Sequence, residues 1–427
     1  MRMRTLRMGS TGAAVQLLQL ALERAGYGGL ETDGVFGEAT AGALRRFQKE
    51  RGLEPDGIAG VRTHRALQPW YTGYLTHTIR RGDTLWALSR RYGASLAAIE
   101  TANPGREAEN LPVGGQLVIP LPFAVVPTGI EYSSELVAFC VQGLAARYPF
   151  LASGELGRSA MGKPLWTLRL GGGRNRVLYH AAHHANEWIT APLLLRFAEE
   201  LCAALVSGES LGGWSAAELL ADTDLVLVPA VNPDGVDLVT GELRQGPWFE
   251  QARRIAAGWP SIPFPAGWKA NLQGVDLNLQ YPAGWERARE NKFALGVRAP
   301  APANFVGTAP LTAPESRALY DFTLSFSPAL TLAYHSQGEV IYWKYLDYAP
   351  PESAGIARRF AAVSGYAAED TPYAAGFAGY KDFFLQDFRR PGFTVEVGRG
   401  VNPLPISQFE EIWRANLGIL TLGLVST

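Results

Sequence analysis

The sequence has little cysteine and almost no net charge. Among its 427 residues only Cys140 and Cys202 are cysteines, and both lie in apolar stretches with helical spacing. Two cysteines exclude a disulfide framework. A single disulfide between them is the alternative to the two buried free thiols that we expect. Lysine and arginine number 39 against 40 acidic residues, which gives a formal net charge of -1. This balance predicts neither nucleic acid nor an anionic membrane surface as a partner.

Long apolar runs are also absent. No stretch approaches the roughly 18 apolar residues that a membrane-spanning helix needs. The start of the chain, residues 1–4, carries positive charge, but no apolar core of a signal peptide follows it. We therefore expect no visible signal peptide and no membrane insertion. The composition, 47% hydrophobic and 19% charged, is typical of a globular protein, and the length suits two or three domains.

The first segment, residues 1–70, contains an internal repeat. An Asp-Gly pair, which favours a tight turn, occurs at residues 33–34 and again at 56–57. Each pair is followed by a threonine, Thr40 or Thr63, that can begin a helix. Helical patterns of apolar residues lie beside these turns. The segment resembles the three-helix peptidoglycan-binding domain over residues 5–69, and the matching positions include Gly12, Val15, Gln19, Tyr27, Phe47, Gln48 and Leu53.

The second segment, residues 75–121, reads as strand, helix, helix, strand. It contains a Gly-Asp-Thr-Leu-Trp stretch at 82–86, an Asn-Pro pair at 103–104 and an apolar strand near 118–120. Asp83 is positioned to cap the first helix. These features resemble a LysM domain, a small βααβ module that binds N-acetylglucosamine chains. The alternative is a βααβ spacer without a ligand.

The third segment, residues 124–427, alternates helical and apolar strand patterns. Helices are predicted over 134–147 and 190–205, and strands over 177–179, 225–228, 330–334 and 393–397. This alternation predicts an α/β fold, with helices on both faces of a central sheet. Ligands of such folds bind at the carboxyl ends of the strands, so functional residues are expected there.

Histidine is scarce, and its distribution is informative. Three of the six histidines, His180, His183 and His184, follow a predicted strand and precede Glu187, whereas His335 ends a distant strand. A catalytic zinc ion usually takes three His or Glu ligands and keeps one position open. The His-x-x-Glu spacing alone is a weak signal, because it also occurs by chance in surface loops.

The surrounding motifs make the signal specific. Together they resemble the zinc carboxypeptidase family over residues 130–425, and within it the bacterial γ-D-glutamyl-L-diamino acid endopeptidases. The family resemblance rests on His184-x-x-Glu187-Trp188, Asn232-Pro233-Asp234-Gly235, Gly274-Val275-Asp276-Leu277-Asn278, His335-Ser336 and Thr394-Val395-Glu396. The narrower resemblance to the endopeptidases rests on Trp268-Lys269-Ala270-Asn271, Asn278 followed by Tyr281-Pro282-Ala283, His335-Ser336-Gln337-Gly338-Glu339-Val340-Ile341-Tyr342-Trp343 and Glu396-Val397-Gly398-Arg399-Gly400. The family resemblance implies a mixed central sheet.

The resemblance also implies roles for particular residues. His184, Glu187 and His335 would bind one zinc ion, and Asp276 would hold a ligand imidazole by a hydrogen bond. Glu396 would be the general base that takes a proton from water and passes it to the leaving amine. His180 and His183 are not expected to be ligands.

The departures from the family pattern concern the substrate. Leu279 stands where exopeptidases of the family carry an arginine that pairs with the substrate's terminal carboxylate, so carboxypeptidase activity is not expected. A second family arginine, which polarises the scissile carbonyl, is also missing. Lys269, Asn271 or the zinc ion itself could replace it. Asn186 stands where a further arginine is common.

Four residues are predicted to bind the substrate. Asn278 is retained from the family motif, and Tyr373 aligns approximately with a tyrosine that covers the bound substrate. Lys381 corresponds to the floor of the pocket for the residue after the cut, where a cation would favour a side chain ending in a carboxylate, such as diaminopimelate. Arg399 is a further candidate for a substrate carboxylate.

Three functions are compatible with these patterns. The first is a zinc endopeptidase that cleaves the γ-D-glutamyl-meso-diaminopimelate bond, with peptidoglycan glycan strands and peptide stems as partners. The second is a metallocarboxypeptidase that trims wall or other peptides. The third is a non-catalytic wall-binding protein, which intact candidate ligands argue against. The resemblance includes sporulation enzymes, so the expected location is the cytoplasm, the forespore or mother cell, or the wall after release.

Overall fold

The computed structural model describes residues 3–106, 111–373 and 376–426. The chain divides into two compact units, one made of Met1–Ile130 and Glu135–Ser153, the other of Glu131–Ser134 and Gly154–Thr427. The helices are α1 (Ala13–Arg24), α2 (Glu38–Glu50), α3 (Val61–Thr72), α4 (Leu85–Tyr92), α5 (Leu96–Ala102), α6 (Ser134–Arg147), α7 (Thr190–Ser207), α8 (Ala216–Leu220), α9 (Pro233–Val239), α10 (Pro247–Ala257), α11 (Trp285–Ala294), α12 (Pro314–Phe326), α13 (Ser353–Ser364), α14 (Tyr380–Phe388) and α15 (Phe409–Leu424). The strands are β1 (Tyr74–Thr78), β2 (Gln116–Pro120), β3 (Ala152–Arg158), β4 (Pro164–Gly171), β5 (Asn175–Ala181), β6 (Ser210–Leu211), β7 (Trp214–Ser215), β8 (Thr223–Val228), β9 (Leu330–His335), β10 (Val340–Tyr342), β11 (Ala367–Glu369) and β12 (Gly392–Glu396).

The internal repeat of the first segment is a repeated hydrogen-bond set. Gln19, buried on α1, donates to Asp33 at 2.8 Å and to Thr40 at 3.1 Å. The side-chain oxygen of Gln19, Oε1, accepts a hydrogen bond from the Gly34 backbone amide at 2.9 Å. The same three contacts recur one helix later, made by Gln48 with Asp56, Thr63 and Gly57. In each case a buried glutamine therefore fixes an Asp-Gly turn to the helix before it.

The second segment has the predicted strand, helix, helix, strand order. β1 and β2 pair antiparallel, and the side chain of Asn103 joins α5 to β2 by donating to Val118 at 2.7 Å and accepting from it at 2.8 Å. The expected cap of α4 is wrong. Thr84, not Asp83, accepts from the Ala87 amide at 3.1 Å.

Asp83 instead lies 2.8 Å from His77 Nε2. The side-chain hydrogen bond with His77 holds the pKa of Asp83 below its usual value. This carboxylate therefore joins the loop before α4 to β1.

The third segment contains an eight-stranded sheet, whose strands lie in the order β11-β10-β12-β9-β5-β8-β4-β3. The central strands β12, β9, β5 and β8 run parallel. β10 pairs antiparallel with β12 but parallel with β11, and β4 pairs antiparallel with β8. β8 and β9 are buried along their whole length, which explains why they are nearly continuous apolar runs. The prediction of an α/β fold with a mixed sheet is confirmed.

Both cysteines are free thiols and both are buried. Burial raises the pKa of the Cys202 thiol far above its ordinary value. Among the described helices, none combines the length and the apolar character required to cross a membrane.

Candidate metal centre

The three predicted ligands come together at the carboxyl ends of two neighbouring parallel strands. His184 lies just after β5, Glu187 ends a short 3-10 turn over Ala185–Glu187, and His335 is the last residue of β9. Their candidate ligand atoms all lie within 4.8 Å of one another. His184 Nδ1 and His335 Nδ1 are each 2.9 Å from a carboxylate oxygen of Glu187 and 3.3 Å from each other.

Two further groups, a backbone amide and a lysine side chain, hydrogen-bond to the Glu187 carboxylate. The Ser336 amide donates to one oxygen at 3.2 Å, and Lys269 Nζ donates to the other at 3.1 Å. Glu187 and His335 are each 1% exposed, whereas His184 is 12% exposed. The His184 imidazole is therefore accessible from the cleft, whereas Glu187 and His335 are buried.

Asp276 holds the His184 ring from behind. Its Oδ1 lies 3.2 Å from His184 Nε2, and its Oδ2 accepts from the Asn304 amide at 3.0 Å. This contact keeps a proton on Nε2, so that Nδ1, which faces Glu187 and His335, is the nitrogen whose lone pair would be available to a metal ion. Asp276 therefore has the supporting position that the sequence predicted for it.

The electrostatics of the cluster suit a cation. Burial by itself lowers the pKa of His184, but the Glu187 and Asp276 carboxylates outweigh it and raise that pKa to about 9. Although burial opposes it, the charge of His184 also holds the pKa of Glu187 well below its usual value. Two imidazole Nδ1 atoms and one ionised carboxylate converge on one point. That donor set suits zinc.

Glu396 ends β12, the strand beside β9, and lines the same cleft. Burial, and next the negative charge of Glu187, raises the pKa of Glu396 to about 8. Lys269 and His184 act in the opposite direction and lower it. A carboxyl group of this kind exchanges protons near neutral pH, as a general base must.

The Asn232 motif fixes two loops of the site to one another. Asn232 Nδ2 donates to the carbonyl oxygens of His183 at 3.2 Å and Ala270 at 3.1 Å, and Asn232 Oδ1 accepts from the Gly235 amide at 3.0 Å. A Cβ at Gly235 would lie 2.7 Å from Ala185 Cβ. Only glycine therefore allows the helix α9 to approach the loop that carries His184 and Glu187.

The cleft in front of these residues has a volume of about 440 Å³. Besides His184, Asp276 and Glu396 it is lined by Ile262, Gly267, Lys269, Asn278, Leu279, Lys292, Ala303, Asn304, Tyr342, Thr371, Gly379, Lys381, Asp382 and Thr394. Among these described lining residues, three are lysines, Lys269, Lys292 and Lys381, and none is an arginine. Leu279 occupies the cleft wall.

Lys269 and Asn271 were two of the three groups expected to replace the missing arginine that polarises the scissile carbonyl, and their surroundings differ. Lys269 lines the cleft and is 35% exposed. Asn271 is fully buried, and its side chain donates to Glu315 at 3.2 Å and accepts from the Val275 amide at 3.1 Å. The expectation that Asn271 could hold an oxyanion is therefore wrong, because its amide is committed to the loop interior.

Asn278 and Lys381, both predicted to bind the substrate, line the cleft. Asn278 Oδ1 accepts from the Tyr380 amide at 3.0 Å, at the first residue of α14. Lys381 is 5% exposed, so it does not extend into solvent. It donates to Asp382 at 2.6 Å and to the Lys344 carbonyl at 2.9 Å.

Tyr373 and Arg399 are not among the described residues that line this cleft. Tyr373 is 62% exposed and packs edge-on against Phe377, with ring centroids 5.0 Å apart; residues 374 and 375 lie outside the described part of the chain. Arg399 pairs with Glu339 beside a separate cavity. Substrate-binding roles for these two residues stay predictions, and the geometry gives them no support.

The neighbouring histidines are not ligands of the cluster. His183 lies 3.0 Å from the Tyr281 hydroxyl, and His180 packs on the Tyr380 ring. Burial lowers the pKa of both rings. Asp382 also lines the cleft. It was not among the predicted substrate-binding residues, although its position directly after Lys381 was a visible signal.

Comparison with known proteins gives three family matches. A zinc carboxypeptidase model matches residues 138–418, a putative peptidoglycan-binding domain model matches residues 11–67, and a LysM domain model matches residues 77–120. The first match covers well over half of the chain.

Individual relatives agree with these matches. The chain is 44% identical over 297 residues to γ-D-glutamyl-L-diamino acid endopeptidase 1 of Lysinibacillus sphaericus. This alignment covers 69% of this chain and 72% of that protein. It is 41% identical over 276 residues to an uncharacterized protein of Bacillus subtilis, covering 64% and 72%. The crystal structure of carboxypeptidase A from Helicoverpa armigera aligns with a TM-score of 0.51 at 18% identity, over 91% of this chain and 87% of that one. That last likeness concerns the fold alone.

Proposed function

The chain belongs to the zinc carboxypeptidase family, and from this premise we propose that it is a zinc endopeptidase of peptidoglycan stem peptides that cleaves the γ-D-glutamyl-meso-diaminopimelate bond. The observation that carries the proposal is the cleft itself. It combines a His-Glu-His cluster with a carboxyl group of raised pKa and, among its described lining residues, contains no arginine.

In this proposal His184, Glu187 and His335 hold one zinc ion. Zinc, when bound, supplies Lewis-acid activation that brings the pKa of water to about 7. Asp276 keeps the proton of His184 on Nε2, so that Nδ1 stays available as a ligand.

Glu396 and Lys269 carry out the proton transfer and the charge stabilisation. Glu396 accepts a proton from the attacking water at its carboxylate and returns it to the leaving amine. Lys269 is a cleft cation in direct contact with a candidate ligand, with Nζ 3.1 Å from Glu187. It donates to the carbonyl oxygen of the scissile bond as that oxygen gains negative charge.

The cleft lining favours internal cleavage over removal of a terminal residue. A carboxypeptidase needs a fixed partner for the terminal carboxylate, and a bidentate arginine is the usual one. Leu279 gives the cleft an apolar wall at the position where such an arginine is expected. A stem peptide that continues beyond the cut has no carboxylate at that point, so it does not need this partner.

The N-terminal segments suit the same substrate. Matches to a peptidoglycan-binding domain and a LysM domain precede the peptidase segment. Binding of the glycan strands would convert the encounter with a stem into an intramolecular event and raise its effective concentration. We therefore propose that the protein acts at the cell wall. The relative from Lysinibacillus sphaericus, whose name is that of a γ-D-glutamyl-L-diamino acid endopeptidase, supports the choice of a γ-D-glutamyl bond to a diamino acid.

A digest of L-Ala-γ-D-Glu-meso-diaminopimelyl-D-Ala with the purified full-length protein, read by mass spectrometry, tests the proposal. The expected products are L-Ala-γ-D-Glu and diaminopimelyl-D-Ala. Release of free D-Ala would instead make the protein a carboxypeptidase. Intact peptide together with zinc-free protein would identify a wall-binding protein without catalysis.

A further inference from the structure

Lys381 and Asp382 form an ion pair within the proposed substrate cleft. Lys381 Nζ lies 2.6 Å from Asp382 Oδ1, and both residues line the cavity of about 440 Å³. Their side chains are only 5% and 4% exposed. The pair is neutral as a whole, but it presents a positive and a negative group side by side.

A chain of contacts connects this pair to the candidate metal ligands. Asp276 Oδ1, which lies 3.2 Å from His184 Nε2, also accepts from the Asn278 amide at 3.2 Å. Asn278 Oδ1 in turn accepts from the Tyr380 amide at 3.0 Å, one residue before Lys381. The position of the pair is therefore fixed relative to the bond that would be cut.

Both partners keep hydrogen-bonding capacity for a ligand. Within the described residues, Lys381 Nζ uses two of its three N–H donors, one toward Asp382 and one toward the Lys344 carbonyl at 2.9 Å. Asp382 accepts from Lys381 and, at 3.4 Å, from the Gly379 amide. An ionised carboxylate offers about four acceptor positions, so at least one remains open.

The pairing changes which side chains the pocket selects. A ligand that brings only a carboxylate to Lys381 places it against Asp382, and a ligand that brings only an ammonium group places it against Lys381. Because both side chains are almost fully buried, an uncompensated like-charge contact with either of them is costly. A group that carries an ammonium and a carboxylate on one carbon can pair with both residues at once.

We propose that Lys381 and Asp382 together form a dipolar pocket that recognises the zwitterionic end of the diaminopimelate side chain, with Asp382 as the determinant for its ammonium group. This inference rests on the proposed function for the position of the scissile bond. It goes beyond it by assigning selection of the residue after the cut to an ion pair instead of a lone cation.

Four stem peptides that differ only at the third residue test the pocket. That residue is meso-diaminopimelate, diaminopimelate with its distal carboxylate amidated, L-lysine, which lacks that carboxylate, or L-2-aminopimelate, which lacks the distal amine. The wild-type protein is expected to prefer diaminopimelate at least about tenfold in kcat/KM over each of the other three, since each of them loses a charge-assisted hydrogen bond to the pocket.

Two variants separate the two halves of the pocket. Asp382→Asn is expected to bring diaminopimelate and aminopimelate peptides to nearly equal kcat/KM, mainly through KM. Lys381→Met is expected to do the same for diaminopimelate and lysine peptides. Asp370→Asn, which removes a carboxylate from an exposed pair with Lys344 outside the cavity, is the matched control and should keep the wild-type preference.

Calorimetry with diaminopimelyl-D-Ala, the expected product, tests the pocket without catalysis. The wild-type protein should bind it, and Asp382→Asn with an unchanged melting temperature should bind it at least about tenfold more weakly. Equal use of all four peptides by the wild type, or an unchanged preference in a folded Asp382→Asn variant, would overturn the dipolar pocket. Failure of the wild type to cleave any peptide would overturn the proposed function, and product binding would still decide on the pocket.

Discussion

His335 and Glu396 are register partners at the carboxyl ends of the adjacent parallel strands β9 and β12. Parallel pairing places neighbouring side chains at one edge of the sheet, and here it sets a candidate metal ligand beside a candidate proton acceptor. β5 lies on the other side of β9 and delivers His184 to the same edge. The sheet register therefore builds the site from segments that are more than two hundred residues apart.

The ligand set predicts which histidine is required for metal. His335→Ala should abolish stoichiometric zinc binding by the purified protein, because one of its three ligands is removed. Asp276→Asn should retain zinc but bind it about 10–100-fold more weakly, as expected for a residue that orients a ligand. Zinc content after dialysis against a competing chelator measures both effects.

His183→Gln is the matched control for this experiment. His183 is next to His184 in sequence but faces the Tyr281 hydroxyl, and glutamine keeps a hydrogen-bonding group there. Its zinc content should equal that of the wild type. Loss of zinc from the folded control, with zinc retained in His335→Ala, would refute the ligand assignment.

Zinc binding should release protons near neutral pH. In the metal-free protein at pH 7, His184 with a pKa of about 9 and Glu396 with a pKa of about 8 are mostly protonated. Binding requires a free lone pair on His184 Nδ1, and the added positive charge lowers the pKa of Glu396. Zinc affinity should therefore rise with pH through about 8 to 9 and level off above that range.

Calorimetric titration of zinc in buffers with different ionisation enthalpies measures the released protons. Between one and two protons are expected at pH 7, and fewer in the Glu396→Gln variant. A binding enthalpy independent of the buffer would mean that neither group carries a proton before the metal arrives.

Lys269 should contribute to the rate and not to the metal. Lys269→Met is expected to lower kcat by about 100–1,000-fold, the usual effect of removing one donor to an oxyanion. Zinc content should be unchanged, and Lys269→Arg should restore part of the activity because it keeps the charge. A Lys269→Met variant that retains zinc and full kcat would show that another group stabilises the oxyanion.

Gly235 should be essential for packing behind the ligand loop. Gly235→Ala places a Cβ 2.7 Å from Ala185 Cβ and 2.8 Å from the Ala270 carbonyl, which should lower the free energy of unfolding by about 1–3 kcal/mol. Gly355 in α13 has no atom within 4 Å of an added Cβ. Gly355→Ala should be neutral or stabilising, since alanine favours a helix. Denaturant unfolding distinguishes the two, and equal effects would contradict the close packing.

The sequence predicted the strands that end at the site and the set His184, Glu187, His335, Asp276 and Glu396, because strand ends of a parallel sheet meet and the motifs stand in a family order. It did not predict where Asn271 and Arg399 direct their side chains. Both depend on partners far away in sequence, Glu315 and Glu339. It also treated Lys381 as a lone cation, since charge pairing between adjacent residues of a helix start depends on side-chain rotamers.

The central claim is that Glu396 transfers protons at a metal site formed by His184, Glu187 and His335. It is tested most directly by comparing the wild type with Glu396→Gln, both with measured zinc content, on the diaminopimelate stem peptide. The account predicts full zinc in both proteins, cleavage after γ-D-glutamate by the wild type, and a loss of kcat of at least about 100-fold in the variant. Cleavage at the wild-type rate by zinc-loaded Glu396→Gln would contradict it.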